Sequence, residues 1–201
     1  TLSLHDALPI SRIDPGSGHH PDELSTFAGS GHLFREQVIM SGVVPQIAAM
    51  VGPGAAGTAY IPGLADFVPM VKGVGTLALA GPPLVKAVTG QDIDEQSLGG
   101  SKVHCELSGV GDAEVADDAA CIAMVKQYLS YMPSSADGSP PRISCDDPID
   151  RRDESLLDLL PENPRQAWDM YALIKSLVDH GEFLDIKPKF GKGGGFFSVN
   201  E

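Results

Sequence analysis

Apolar residues along this chain fall into short continuous runs and helical stripes. Ile47-Ala48-Ala49-Met50-Val51 is a continuous apolar run, short enough for a buried strand. It ends at Gly52-Pro53-Gly54-Ala55-Ala56-Gly57, where almost no side chains remain, and a helix is expected from about Thr58 or Pro62. Upstream, residues 26–41 carry a helical pattern with Phe27, Leu33, Phe34, Val38 and Met40 near one face and Gly42 as the stop. Downstream, Val74–Ala80 reads as a second strand, and Pro82-Pro83 opens a helix that reaches Gly90. A short helix is expected at Asp94–Leu98 and an extended segment at Val103–Val110. Val115–Met132 reads as an amphipathic helix with Asp112 as its cap and Glu114, Asp117 and Asp118 in its first turn.

Composition then marks the joints. Residues 12–24 are rich in Gly, Pro and Asp and read as loop, and Pro133–Pro141 has the make-up of a linker. Beyond it lie a short apolar stretch at Leu156–Leu160 and a helix started by Asn163-Pro164, carrying Ala167, Tyr171, Ile174, Leu177 and Val178. Gly181 ends that helix, and Glu182–Ile186 is expected to be a strand.

With 27 Asp+Glu against 14 Lys+Arg, the chain lacks the basic excess of a general nucleic-acid binder. No apolar run approaches the roughly 18 residues of a membrane span. Cys105, Cys121 and Cys145 are odd in number and lack C-x-x-C spacing, so they read as free thiols in a reducing compartment. His19-His20 on a Gly/Pro loop and the Asp146–Arg151 turn invite metal readings. The first lacks convergent ligands and the second lacks EF-hand spacing, so no bound metal is expected.

The candidate chemistry sits in the small-residue turn. A strand that passes through Gly and Ala into a helix presents bare N–H groups at the positive end of a helix dipole, where a phosphate or a developing oxyanion is held. The same run also suits a tight turn packed on a neighbouring strand. Lys86 and Lys102 stand near Gly-rich turns, where each suits either a phosphate contact or a solvated surface.

Several stretches resemble the carboxyltransferase (beta) subunit of biotin-dependent acyl-CoA carboxylases, of the propionyl-CoA, methylcrotonoyl-CoA and acetyl-CoA carboxylase type. They are Gly52–Tyr60, Leu79-Ala80-Gly81-Pro82-Pro83-Leu84-Val85-Lys86-Ala87-Val88-Thr89-Gly90, Leu98–His104, Ser108-Gly109-Val110 and Asp179–Asp185, in family order and spacing. The resemblance runs from about Ser25 to about Lys192. It implies an α/β, crotonase-like (ClpP/crotonase) β-β-α superhelix, here incomplete. The implied division is 12–132 for the C-terminal part of a first, acyl-CoA-side domain, 133–145 for a linker and 146–192 for the start of a second domain. Residues 1–11 are set apart as foreign or disordered, and 193–201 as a divergent tail.

The resemblance implies transfer of CO2 from carboxybiotin to the alpha carbon of an acyl-CoA through an enolate. Ala56 and Gly57 match the pair whose backbone N–H groups form the oxyanion hole, and Gly52, Gly54, Ala55, Thr58 and Tyr60 match the substrate-binding turn. Where the family often has Gly-Gly, this chain has Ala56-Gly57, and the Ala56 methyl restricts the backbone. Biotin on a separate carrier domain or subunit is the implied cofactor and acyl-CoA the implied substrate. The implied partners are a biotin carboxylase or biotin carrier subunit and further copies in a hexamer-like homo-oligomer, with neither nucleic acid nor membrane. The implied setting is the bacterial cytoplasm, with the mitochondrial matrix as the alternative. The family's second small-residue turn has no counterpart here, so the chain reads as truncated and inactive alone. A biotin-dependent acyl-CoA decarboxylase subunit, a hydratase of the same fold, and a non-catalytic piece that binds CoA esters or partner subunits are the alternatives.

Overall fold

The computed structural model describes residues 32–148, 150–159, 161–163, 165, 169–191 and the backbone of 196–198. His5, Asp6, His19, His20, Phe27, Pro164, Ala167 and, in the tail, residues 193–195 and 199–201 lie outside the described residues.

The architecture grows from one buried strand. Phe67 to Val71 is buried without a break, which is the pattern of a strand covered on both faces rather than one. Its core is β2, Pro69–Val71. On one side β2 pairs in parallel with β4, Ala113–Val115, with Met70 opposite Glu114. On the other side lies the apolar run seen in the sequence. Ile47 and Met50 form parallel bridges to Phe67 and Met70, and the Met50 N–H donates to Pro69 O at 2.8 Å. The expected strand therefore exists, but it ends at Met50 rather than Val51.

A second small sheet takes one strand from the expected Val74–Ala80 run and the other from the small-residue turn itself. β1, Pro53–Ala55, lies parallel to β3, Thr76–Ala78, with Gly54 opposite Leu77. Successive stretches of chain thus give a strand to one sheet, a strand to the other, and then a helix. The first such unit is 47–50, β1 and the helical segment 56–63; the second is β2, β3 and α3, Pro82–Thr89. This is the expected β-β-α order. Two glycines make the close approach possible. A Cβ on Gly99 would stand 2.2 Å from Leu77 O, and one on Gly75 would stand 2.4 Å from Met50 O.

The helices depart from expectation in ways with local causes. Helix α1, residues 32–40, turns Leu33, Phe34 and Gln37 inward and leaves Val38 and Met40 exposed. The buried position goes to Gln37 because its polar groups have partners: side-chain Nε2 donates to Ile61 O at 2.6 Å, and its backbone carbonyl accepts from Gln46 Nε2 at 2.8 Å. Helix α3 starts on Pro82 and ends on Gly90 in the left-handed region, as the sequence requires. Helix α4, Glu95–Gly99, is capped by Asp94, whose carboxylate accepts from the N–H groups of Gln96 and Ser97.

Val103–Ser108 is a π-helical turn and not the expected extended segment. His104 ties it to β3, with Nε2 2.7 Å from Leu77 O and Nδ1 2.9 Å from Ser108 Oγ. Helix α5 is Asp118–Ser130 rather than Val115–Met132, and its cap is Asp117, not Asp112. Val115 and Glu114 belong to β4 instead, because Val115 fills the core with Val71 and Cys121.

Residues 133–148 contain neither helix nor strand. A 3-10 turn, Glu154–Leu159, and helix α6, Met170–Leu177, follow. Asp169 caps α6, so that helix does not begin at Asn163-Pro164; Asn163 only turns back on the Arg165 N–H. β5, Leu184–Ile186, pairs antiparallel with β6, Phe196–Ser198. Leu184 is buried with Phe67, Ala113 and Tyr128, where the Phe67 and Tyr128 rings stack 4.3 Å apart.

Candidate functional site

The small-residue turn follows the strand at 47–50 and leads into the helical segment 56–63. Val51 and Gly52 make the bend, β1 runs to Ala55, and a 3-10 turn, Ala56–Ala59, passes directly into α2, Tyr60–Gly63. The helical path thus begins two residues before Thr58. It is anchored from below by Ala59, which is buried with Met50, Val68, Met70, Leu77 and Cys105.

Thr58 fixes the entry. Its hydroxyl donates to Ala55 O at 2.7 Å and accepts from the Ala55 N–H at 3.0 Å. That takes up the polar groups of Ala55. Ala56 and Gly57 begin the helical turn, where backbone N–H groups have no partner within the helix. Ala56 has φ 52, a left-handed conformation that costs a residue with a Cβ about 1–2 kcal/mol. Gly57 follows with negative φ. Successive residues of opposite hand turn their N–H groups toward one side, which forms an anion-holding concavity.

The surroundings are open where a ligand's backbone contact needs them to be. Ala55 and Ala56 are exposed, and Cβ atoms built on Gly52 or Gly57 would meet nothing within 4 Å. Gly54 is different: it is buried, with the Met50 methyl 2.8 Å and Thr76 O 3.3 Å from a built Cβ. It is therefore a packing glycine on β1. Tyr60 is 55% exposed and meets Phe34 edge to face, with ring centroids 6.0 Å apart. The structure thus brings Gly52, Ala55, Ala56, Gly57, Thr58 and Tyr60 into one surface feature and sends Gly54 beneath it.

Lys86 is exposed and paired with Asp92 at 2.6 Å, and Lys102 is exposed. A cavity of about 540 Å3 lined by Gln127, Tyr131, Tyr171, Lys175, Phe183 and Asp185 shares no residue with the turn.

Sequence reasoning missed a second feature, a buried pair of ion bridges. Asp112 is 5% exposed; Oδ2 accepts from the Val68 N–H at 2.7 Å, and Oδ1 lies 2.7 Å from Lys187 Nζ. Lys187 also donates to Gly109 O, and its own N–H donates to Asp112 O at 2.9 Å. Two residues on, Glu114 meets Lys189 at 2.7 Å and accepts from Ser101 Oγ at 2.7 Å. Burial works to raise the Glu114 carboxyl, but the bonds from Lys189 and Ser101 and the charge of Lys72 outweigh it and hold it below its ordinary value. Burial beside Glu114 and Asp112 pushes the Cys105 thiol up to about 12, so it stays protonated.

An α/β chain of interleaved strand pairs and helices with a small-residue turn of this kind is crotonase-like in fold. The chain belongs to the carboxyl transferase domain family, whose model matches residues 4–193. That match begins inside the stretch 1–11 that the sequence sets apart. Among similar proteins, the methylmalonyl-CoA decarboxylase alpha subunit of Veillonella parvula is 36% identical over 93% of this chain and 37% of its own length. The propionyl-CoA carboxylase beta chain of Roseobacter denitrificans is 36% identical over 95% of this chain and 38% of its own length. The chain thus spans a little over a third of the relatives it matches. A solved transcarboxylase 12S, a hexamer with hydrolysed methylmalonyl-coenzyme A bound, superposes with TM-score 0.82 at 32% identity, covering 94% of this chain and 36% of the other. Among the described residues, no helix is long and apolar enough to cross a membrane.

Proposed function

We propose that this chain supplies the acyl-CoA side of a carboxyltransferase acting on a short acyl-CoA of the propionyl/methylmalonyl class. The observation that carries this reading is the turn at Ala56-Gly57, where the chain enters a helical turn with Ala56 in the left-handed region and no side chain crowding Gly57. Its support is the agreement among similar proteins named for propionyl-CoA or methylmalonyl-CoA.

On this reading the Ala56 and Gly57 N–H groups hold the thioester oxygen as it gains charge, which stabilises the enolate. The exposed Ala55 and Ala56 leave room for the thioester along the backbone, and Tyr60 borders it. Thr58 acts through Ala55: it occupies that residue's polar groups and fixes the turn's entry. Biotin, carried on another domain or subunit, supplies the activated CO2 and the base when present. This accounts for the lack of an acid/base carboxylate beside the turn among the described residues. The residues of this chain position the substrate and hold charge; they transfer no proton themselves.

The division follows the sequence: residues 12–132 as the acyl-CoA-side part, 133–145 as linker and 146–192 as the opening of the second unit. Partner subunits bearing biotin, a hexamer-like assembly and a bacterial cytoplasmic or mitochondrial setting belong to the same proposal. The decarboxylase reading stays alongside it, because relatives named for the two activities are equally similar at 36% identity.

The test is propionyl-CoA binding to this chain by calorimetry, with carboxyl transfer from methylmalonyl-CoA to free biotin measured when the chain is joined to a second carboxyltransferase unit. Gly57→Val is expected to lower transfer by about 10²–10³-fold and to weaken binding. Unchanged transfer and binding in this variant would remove the assignment. Biotin-independent loss of CO2 with no transfer would favour neither biotin-dependent activity and would point to another acyl-CoA chemistry.

A further inference from the structure

Outside the turn, Cys145, Asp146 and His180 bring three metal-ligating atoms within 4.8 Å of one another, although 34 residues separate Asp146 from His180. Cys145 Sγ is 4.0 Å from His180 Nε2, and Asp146 Oδ1 is 3.4 Å from the same nitrogen. We propose that Cys145, Asp146 and His180 form a binding site for a divalent cation of borderline softness, with Zn2+ as its type.

The donor set points to that class. A thiolate, an imidazole and a carboxylate together suit Zn2+ and disfavour Ca2+ and Mg2+, which take oxygen ligands. The spacing agrees as well. With Zn–N and Zn–O near 2.0 Å and Zn–S near 2.3 Å, tetrahedral ligands stand about 3.3 Å (N to O) and about 3.6 Å (S to N) apart. The observed 3.4 and 4.0 Å to His180 need a closure of only a few tenths of an ångström, and the Cys145–Asp146 pair, within 4.8 Å, closes by rotation of two exposed side chains. All three side chains are exposed, so the ion has an open path and a free fourth position for water. On binding, the S–H bond of Cys145 gives way to an S–metal bond, and the proton leaves to solvent.

The site is held together from both sides. Asp147 binds Arg151 at 3.0 Å, and Arg151 donates to Ser176 O at 2.8 Å, so the segment carrying Cys145 and Asp146 is tied to the end of α6. The Asp147 N–H also donates to Cys145 Sγ at 3.4 Å. His180 comes from the 3-10 turn Asp179–Gly181, where its φ is 54. The cation therefore bridges the stretch after the first unit to the turn that leads into β5. Neither ligand spacing nor repeat marks this juxtaposition in the sequence, because His180 lies far along the chain from Cys145 and Asp146.

The experiment titrates the full 201-residue chain with Co2+ and with Zn2+ under reducing, non-chelating conditions. Co2+ is expected to give a sulfur-to-metal charge-transfer band at one ion per chain. Cys145→Ser and His180→Ala should each abolish it with unchanged circular dichroism, while a His19→Ala/His20→Ala double variant should keep it. Zn2+ is also expected to slow disulfide-reagent labelling of Cys145 about tenfold at ten times its Kd, and not in His180→Ala. Cys105 and Cys121, both buried, stay unlabelled in the native state. No thiolate band, a band that survives Cys145→Ser, or equal Zn2+ protection in His180→Ala would each overturn the site. None of these readouts depends on carboxyl transfer.

Discussion

The turn at Gly52–Tyr60 and the clamp at Asp112/Glu114–Lys187/Lys189 do opposite things with the same backbone. In the turn, side chains are nearly absent, the surface is open, and the useful groups are backbone N–H donors at the start of a helical turn, which have no partner within the helix. In the clamp, side chains carry the contacts: two buried carboxylates bind two ammonium groups, a backbone N–H and a hydroxyl. Both also contain a residue with a Cβ in the left-handed region, Ala56 in one and Lys187 in the other. Lys187 is held there by its N–H and ammonium bonds to Asp112. Ala56 is held by its neighbours on either side, β1 behind it and the buried Ala59 ahead. A site that must meet a ligand keeps its donors free, and a joint that must hold keeps them occupied.

The sharpest way to break this contrast is to open the clamp. Asp112→Ala leaves a buried ammonium and the Val68 N–H without their acceptor, which is expected to cost about 3 kcal/mol, the lower end for a broken buried pair because Lys187 keeps some solvent contact. Urea unfolding measures it, and a loss below about 1 kcal/mol would mean that the pair behaves as a surface bridge. Lys187→Met should cost less, since the methionine stem still packs and the Asp112 carboxylate keeps its backbone donor.

Next comes a pair of glycines that separates site from scaffold. Gly57→Val is expected to reduce carboxyl transfer by about 10²–10³-fold, with an unfolding free energy within about 0.5 kcal/mol of the parent because the space around it is open. Gly99→Ala is expected to do the reverse. Its methyl would meet Leu77 O at 2.2 Å. The forced shift costs about 1–3 kcal/mol of stability, and the turn is not touched. If both variants lost stability alike, the distinction between an open turn and a packed one would fail.

These outcomes bear on what the sequence could reveal. The turn was legible because six successive small residues are a local signal, and so were α3, with proline first and glycine last, and the strand at Ile47. β1 was hidden inside the same turn: a Pro-Gly-Ala stretch has no strand propensity, and only pairing with β3 makes it one. The helix register at Asp112–Val115 was misplaced because acidic residues look alike in sequence. Asp117 caps, Glu114 pairs with Lys189 and Asp112 pairs with Lys187, and those last two partners lie 75 residues downstream. The π-helical turn at Val103–Ser108 is set by the His104 bond to Leu77 O, which is equally non-local. Likewise, an apolar stripe pointed Val38 inward, but the bond from the Gln37 side-chain amide to Ile61 O decided the face.

A milder probe of the clamp is pH. The folded Glu114 carboxyl lies below its unfolded value, so its contribution is present above about pH 4.3, the ordinary glutamate value, and is lost as pH falls through the folded value. Glu114→Gln should therefore be less stable than the parent at pH 7. The gap should close as the pH drops toward 3. A gap that stayed constant with pH would assign the difference to packing and not to charge.

The smallest effect expected lies in the turn itself. Ala56→Gly removes the left-handed strain of about 1–2 kcal/mol but gives the unfolded chain freedom worth about 0.5–1 kcal/mol. The net is a gain of roughly half a kcal/mol, readable as a small upward shift in Tm. Ala56 is exposed, so the deleted methyl takes almost no packing with it. The N–H at position 56 survives, so carboxyl transfer should be kept. The same exchange at Ala59, which is buried among Met50, Val68 and Leu77, should destabilise, because there the methyl fills space and the backbone is already helical. A Tm that fell at both positions would show that Ala56 is not in the left-handed region, and the N–H pair would then lose the geometry that qualifies it to hold an oxyanion.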